Sequence, residues 1–561
     1  MKAVGGYVIH KSSLIRKGIH AHTTALEAPV SQLDLDSLNA VQATPWRINT
    51  AVLDVMLQAW NSDIPLAGLI KASPVPIPAK LDDDVWATLG VEDKKNHLRA
   101  RGMAHRANAS SDGRQQALLD CLTVANELRD RPSIWYPHSR CFRGRIHPIP
   151  SVGPNPQGND LSKSLIEFGT GKALGQDGLW WLMVRLANCA GQDKLEIPDR
   201  VQWVLDHADD IAAAGADPLG FPWWAATDDK GDAVHDEPWG LLATILEVAA
   251  AWRHPDGDVA FVSRLPIAMD GACNGIQHLS AMGLDPVGAK ATNLQPGPRQ
   301  DIYTQVADVV RAMVEHDASR GIPSALQWHG RVTRKTVKRA VMTTPYGVTD
   351  GGIRTQLIAD GLVPDGELRG EAADYLRDCL VSALGQTVVS AKSIMAWLQT
   401  SADRLARAGL PYEFRTPTGS IVRQAYHAVS SDRIETLCGR LRVENEVVAG
   451  PLNPRKNALA AAPNTVHAFD ASHLSLTVAK AQANGITNFA MIHDSYGTHA
   501  CDTTRLAAIL RETFVSIYEV DRLAELSAYV ADYAPHVDLP PLPDRGDFDI
   551  TQVLDAQFFF S

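Results

Sequence analysis

The sequence predicts a mixed α/β protein, mainly helical, built from several lobes around a small sheet. Three observations carry that expectation. Apolar residues recur at helical spacing through much of the chain, as at Leu53, Val55, Met56 and Trp60, or at Val306, Val309, Val310 and Met313. Two short apolar runs, Val259–Met269 and Asn488–His493, read as strands, and each is followed by an Asp. A length of 561 residues, at roughly 100–200 per domain, makes about three to five domains or lobes.

Taken in order, residues 1–38 read as an N-terminal extension. Leu38 to about Arg131 is helical, interrupted by the Pro74–Pro78 link and by turn residues at Ser111–Gly113 before a second helix. Arg143–Pro154 reads as a strand and loop, with Pro148, Pro150 and Gly153 as breakers. Helices follow at Leu161–Phe168 and Gly178–Asn188. After the Val259 strand come helices from Ile276, over Asp301–Asp317, over 331–346, and as one long element over Gly370–Arg407. Ile421–Ala425 is a strand, Ala471–Asn484 a helix and Arg505–Tyr518 another.

Composition removes several classes. With 45% hydrophobic and 21% charged residues, the chain is neither disordered nor fibrous. Its longest apolar stretch, Leu241–Trp252, is broken by Glu247 and too short to span a membrane, so a soluble protein is expected. Seven scattered cysteines without CxxC spacing argue against a disulfide framework or zinc ribbon, and for a reducing compartment. The first thirty residues lack a signal-peptide core, although their basic, acid-poor character is shared with mitochondrial transit peptides. Gly169–Lys172 lacks the rest of a phosphate loop, no GxGxxG follows a strand, and no HExxH occurs; His20 and His22 read as solvent-exposed. A net charge of −11 argues against a small nucleic-acid-binding module. Positive charge is nevertheless concentrated, at Arg140, Arg143 and Arg145, and at Arg331, Arg334, Lys335, Lys338 and Arg339, with no acid between Leu326 and Thr349. Local fields of this kind steer polyanions whatever the average.

Three segments point to one chemistry. Asp270–His278 places an acid and a permissive Gly271 after an apolar strand; Met491–Gly497 repeats the pattern with Asp494. Alone, either acid reads equally as a capping or turn Asp. In a helix over 331–346, Arg334 and Lys338 would lie about 40° apart with Tyr346 about 80° further round. Packed neighbours Val337, Val341 and Met342 turn that charge toward a site. Two carboxylates can hold two Mg²⁺ ions about 4 Å apart, and the cations can neutralise a triphosphate and its pyrophosphate. The aromatic can stack on a base or ribose. Nucleotidyl transfer is the reaction these parts suit.

The chain resembles the single-subunit RNA polymerases of T-odd bacteriophages, mitochondria and chloroplasts. Seven motifs carry the resemblance, in family order: Phe142–Arg145, Asn155–Asp160, Ala187–Gly191, Asp270–His278, Arg334–Gly347, Ala462–Asn464 with His467, and Ile492–Gly497. It runs from about Asn39 to Phe558–Ser561. The resemblance implies a right-hand polymerase fold with a small antiparallel palm sheet. It divides the chain into an extension (1–38), a thumb-like helical lobe (39–131), a first palm part (132–286), fingers (287–467) with a specificity-type loop at about 430–455, and a second palm part with a C-terminal foot (468–561). It implies metal binding by Asp270, Gly271 and Asp494, and catalysis by these aspartates with Lys338 and Tyr346. Substrate contacts fall to Arg334, Lys338, Lys194, Tyr346, His467 and Tyr303. Nucleic-acid contacts fall to Arg143, Arg145, Arg339, Arg440 and Arg442, with Asn445 and Asn453 as further base readers. Cys141 and His147 depart from the phage pattern, and Pro345 precedes Tyr346 as a family variant; none removes a metal ligand.

The expected function is DNA-templated RNA synthesis with two Mg²⁺ ions, using NTPs, a DNA template and an RNA product. Alternatives are a primase-like polymerase making short RNAs on single-stranded DNA and a non-catalytic DNA-binding remnant. Only about 38 residues precede the resemblance, so most of a promoter-binding domain is expected to be missing and a protein partner to supply promoter opening. A monomeric core in the cytoplasm of a phage-infected bacterium is expected, with a mitochondrial location as the alternative.

Overall fold

The longest element shows how strongly helix propensity acts on this chain. In the computed structural model, Val91–Leu128 is one helix of 38 residues. It runs through Ser111–Asp112–Gly113, where the sequence predicts a turn. The flanks are rich in Ala, Arg, Gln and Leu, whose helix propensity outweighs three weak residues, and the single Gly costs only about 1 kcal/mol relative to Ala. The structure describes residues 4–6, 11–16, 27–69, 71, 74–150, 152–229, 231, 233–364, 368–436, 439–446 and 450–561.

Other elements depart from expectation for identifiable reasons. The long helix expected over 370–407 is two, Arg369–Thr387 and Val389–Arg407, bent by 100°. The break falls at buried Val388, inside the β-branched run Thr387–Val389, which is poor helix material. The helix expected at 161–168 is a short one, Asp160–Ser164, followed by strand Ile166–Phe168, which pairs with Trp46–Ile48. Residues expected as a loop near 430–455 form a hairpin of two eight-residue strands, Val429–Thr436 and Gly439–Glu446. The basic helix is Arg334–Thr343 and stops before Pro345, which has no N–H to donate to the Val341 carbonyl. Within the stretch read as an extension, Gln32–Gln42 is a helix packed on Pro454–Ala483. Its buried Asp34 receives hydrogen bonds from Arg140 (2.6 Å), Thr418 (3.0 Å) and Ser420.

The whole is mainly helical with small antiparallel sheets. One apolar core runs from Leu14 and Leu38 through the helices 175–189 and 238–252 to Phe559 and Phe560. Among the described residues no single helix is long and apolar enough to cross a membrane.

Gly113 tests the unbroken helix. A Cβ there would meet no atom within 4 Å. Gly113→Ala is therefore expected to raise unfolding free energy by about 0.5–1 kcal/mol in urea titrations; a loss of stability would show that the chain does turn at this point.

Candidate active site

The site grows from one end of a three-stranded antiparallel sheet. Its strands are Ala490–Ile492, Ser495–His499 and Pro266–Asp270, with Ser495–His499 in the centre. Ile267, Met269 and Tyr496 are buried to about 1% exposure and fix which face is core. Ser495 stands opposite Asp270, and Ile492 pairs with Ser495. His493 and Asp494 are thus a two-residue turn, with His493 at φ 55°, as tight hairpin turns require of one or both residues. Asp270 and Asp494, remote in sequence, end up on adjacent strand termini.

Asp270 reaches solvent at a cleft floor but has protein around most of its carboxylate. That burial raises its pKa; a Ser495 hydrogen bond lowers it, and Asp494 raises it again. Behind it, Gly271 bridges to Phe560, and the Ser561 N–H donates to the Asp270 carbonyl at 3.3 Å. The cleft is a cavity of about 580 Å³.

The opposite wall is cationic. Arg334, Lys338 and Met342, at four-residue spacing on one helix face, line the cavity with Lys194, Arg299 and Tyr303. Arg334 donates to Asp301 at 2.6 Å and lies 4.9 Å over the Tyr303 ring. Burial would raise the Asp301 pKa, but Arg334 leaves it lowered overall. Lys194 pairs with Asp193; burial lowers its pKa.

Tyr346 lies past the end of the basic helix, not on its face. Its ring stacks on His467 at 4.7 Å and 29°. Two glycines allow this placement. A Cβ on Gly275 would sit 2.8 Å from the Pro345 Cβ. Gly347, at φ 74°, backs onto the Leu459 carbonyl, 3.0 Å from where its Cβ would be; Pro463 leaves that carbonyl without its helical donor. Arg143 donates to His467 Nδ1 at 2.8 Å. Burial, then Arg145 and Arg143, lower the His467 pKa, so the ring is neutral and Nε2 carries the proton. Burial raises the Tyr346 pKa, helped by Asp470 and Asp494, and keeps its hydroxyl protonated.

His467 belongs to a row on helix Pro454–Ala483. Three residues on, Asp470 takes a forked pair from Arg145 (3.0 and 2.5 Å). Three further, His473 accepts from the Tyr496 hydroxyl at 3.1 Å and donates to the Leu510 carbonyl at 2.9 Å. Asp470 and His473 went unnoticed in the sequence; their signal was polar residues at i, i+3 and i+6 on an otherwise Ala- and Leu-rich helix. Lys163 and Glu237, an ion pair at 2.9 Å lining the cavity beside Asp270, also carried no motif of their own.

Other expected contacts lie elsewhere. Arg339 pairs with Asp360 and does not line the cavity. Arg145 is committed to Asp470. Arg442 is exposed on the second hairpin strand, opposite Arg433; the side chains of Arg440 and Asn445 lie outside the described residues. Asn453 is not placed as a base reader: its side chain caps helix Pro454–Ala483 by accepting from the Lys456 N–H at 3.0 Å.

A hard divalent cation fits these donors. Asp270, Asp494 and the Gly271 carbonyl offer oxygen only, and the repulsion between the carboxylates is what a cation relieves. Among the described residues no cluster of three or more His, Cys, Asp or Glu forms a metal cage, so water or substrate oxygens would complete the coordination, as is usual for Mg²⁺.

Residues 172–536, spanning both aspartates and the cationic wall, match the family model described as DNA-dependent RNA polymerase. The chain belongs to that family. It is 34% identical over 576 residues to the mitochondrial DNA-directed RNA polymerase 1B of Nicotiana tabacum, covering 99% of this chain and 56% of the relative. It is equally similar to DNA-directed RNA polymerase 2, chloroplastic/mitochondrial, of Arabidopsis thaliana (99% and 55%). It is 33% identical over 582 residues to the DNA-directed RNA polymerase of Enterobacteria phage T3 (94% and 64%). The chain thus spans a little over half the length of these plant relatives. A solved structure, the POL domain of Pol1 from M. smegmatis with DNA primer-template and dNTP, aligns over 87% of this chain and 79% of its own at 13% identity and a TM-score of 0.26, too loosely to carry an argument.

The buried Arg145–Asp470 pair gives a direct test of the site's foundation. Asp470→Ala strands a buried guanidinium and is expected to cost about 3–5 kcal/mol of stability in denaturant titrations. Replacing both residues, Asp470→Leu with Arg145→Met, should recover most of that loss; no recovery would mean that something other than the stranded charge causes it.

Proposed function

We propose that this chain is the catalytic core of a DNA-templated RNA polymerase, adding nucleotides from NTPs to an RNA 3′-hydroxyl. The observation that carries the reading is Asp270, beside the turn that bears Asp494, in a cavity also lined by Arg334, Lys338 and Lys194. In the reaction the 3′-oxygen bonds to the α-phosphorus and pyrophosphate leaves. Asp270, Asp494 and the Gly271 carbonyl would hold divalent cations, Mg²⁺ by ligand type, and these supply activation of the hydroxyl and neutralisation of phosphate charge. Arg334 and Lys338 neutralise the triphosphate and the departing pyrophosphate. Lys194 is placed to do the same. The neutral His467 presents Nε2–H, and Tyr346 its hydroxyl, toward a 2′-hydroxyl; a deoxyribose would leave those groups unpaired. The lobes take the roles of thumb (39–131), palm (132–286 and 468–561) and fingers (287–467). The hairpin 429–446, exposed at 431–435 and 441–443 and carrying Arg440 and Arg442, suits contact with DNA, as do Arg143 and Arg339 of the two basic segments. A DNA template, NTPs and an RNA product are the partners this reading requires. Either a phage or an organellar setting fits the range of these relatives.

Extension of an RNA primer on a DNA template with Mg²⁺ tests the reading, comparing NTPs with dNTPs. Asp270→Ala and Asp494→Ala should each lower incorporation by roughly three orders of magnitude or more while template binding persists; activity retained in either removes the metal assignment.

Tyr346→Phe should relax NTP over dNTP preference by about tenfold, the worth of one hydrogen bond to a buried group. Unchanged discrimination would take Tyr346 out of sugar selection.

A further inference from the structure

Arg299 lines the same cavity as Lys194, Arg334 and Lys338, yet it belongs to none of the motifs that mark the site. Its placement is built rather than incidental. Buried Asn293, at φ 59°, donates from its side-chain amide to the Gln300 carbonyl at 2.9 Å and accepts from the Gln300 N–H at 2.7 Å. This double clasp closes the loop 294–299 and sets Arg299 one residue from the clasp and two from Asp301. Gln305 adds a third hydrogen bond, to the Gln300 side chain at 3.0 Å. The carboxylate facing Arg299 is fixed as firmly. Asp193 sits on a turn pinned by fully buried Arg200, which donates to Asn188 Oδ1 (2.9 Å) and to the Asp193 and Leu195 carbonyls (3.0 Å each).

The contact between them is nevertheless incomplete. Arg299 Nη2 lies 3.8 Å from Asp193 Oδ2, an ion pair too long for a hydrogen bond. The same oxygen already takes Lys194, while Asp193 Oδ1 is buried with no hydrogen-bond partner. Of the four cations on this wall (Lys194, Arg299, Arg334, Lys338), three pair with Asp193 or Asp301, and Glu196 adds a more distant negative charge at Arg299. Arg299 is only 20% exposed, and burial lowers its pKa, with Arg334 adding to the effect against Asp193 and Asp301. A part-buried guanidinium with unused donors suits a forked bond to phosphate.

We propose that Arg299 contacts the triphosphate of the incoming nucleotide, and that Asp193 holds Arg299 and Lys194 in the free protein until phosphate oxygens replace it. This rests on the nucleotidyl-transfer reading of the cavity and names a residue that reading lacks. The exchange is electrostatic; no covalent bond changes.

The test is nucleotide and pyrophosphate binding by Arg299→Gln, Arg299→Lys and Asp193→Asn. With primer-template bound, Arg299→Gln should raise the apparent Kd for ATP about tenfold, with a smaller change in maximal incorporation rate. Arg299→Lys, which keeps the charge, should fall between. Asp193→Asn should tighten ATP binding. Calorimetry with inorganic pyrophosphate and with adenosine on the protein alone should show loss for pyrophosphate only. Unchanged ATP and pyrophosphate affinity in Arg299→Gln overturns the proposal, and so does an equal loss for adenosine, which would mark a general distortion of the site. Wild-type protein that extends a primer while Arg299→Gln matches it sinks this inference and leaves the polymerase reading standing. Arg299-dependent pyrophosphate binding in a protein that extends no primer supports the inference and sinks that reading.

Discussion

The site depends on the register between Pro266–Asp270 and Ser495–His499. Side chains alternate along a strand, so a slip of one residue would carry Tyr496 and Met269 to the wrong face. It would also move Asp270 away from the turn that bears Asp494. Burial holds the register: Ile267, Met269 and Tyr496 each lose nearly all contact with water, and full burial of such side chains contributes about 1.5–3 kcal/mol apiece. The Tyr496–His473 hydrogen bond adds a polar constraint that a slipped strand could not satisfy. Two carboxylates that repel each other are thus kept together by apolar packing beneath them, which leaves their mutual charge to be answered by a ligand.

Helix Pro454–Ala483 converts that local order into a wider geometry. His467, Asp470 and His473 occupy successive turns of one face, and each fixes a different part: Tyr346, Arg145 and the central strand. A rigid rod carrying all three sets the ring that would meet a ribose at a defined height above the aspartates. The interruption at Pro463 serves the same geometry, because the carbonyl it frees lies where Gly347 must turn. Residues that sequence spacing presents as separate motifs are in this way one packed unit.

How much of this was legible in the sequence follows from which forces act locally. Asp270 and Asp494 could be picked out because each ends an apolar run, and the helices 302–319 and 503–518 because one apolar face repeats cleanly. Their convergence could not be read from residue pattern, since it rests on long-range strand pairing; only the family resemblance implied it. Gly113 misled because turn propensity is weak against the helix formers around it. Tyr346 was drawn onto a helix that Pro345 ends. The bend at Val388 falls in the β-branched run Thr387–Val389, a weaker signal than a Gly or Pro at the break would give. Asp470 was missed because an acid amid Ala and Leu reads as a solvated position until a buried Arg is found beside it. Arg334 and Lys194 were found, but their carboxylate partners, Asp301 and Asp193, were not.

Those partners explain how a chain of net charge −11 could present the proposed site for polyanions. Arg334 meets the site already paired with Asp301, Lys194 with Asp193, and Arg145 with Asp470. A cation held by a carboxylate is partly desolvated and oriented before any substrate arrives. Exchanging the carboxylate for a phosphate oxygen then costs little reorganisation, whereas a hydrated, freely rotating lysine must lose both water and rotamer freedom. Asp193 and Asp301, which look unhelpful in a phosphate site when charge is merely counted, are by this reasoning what makes the wall ready to bind. On the proposed reading Lys338, with no ion pair among the described residues, would supply the unneutralised charge that draws the anion in. On the proposed reading the acidity of the whole would work for selectivity, with a polyanion admitted where Lys338 has no ion pair among the described residues and Arg299 only a long one.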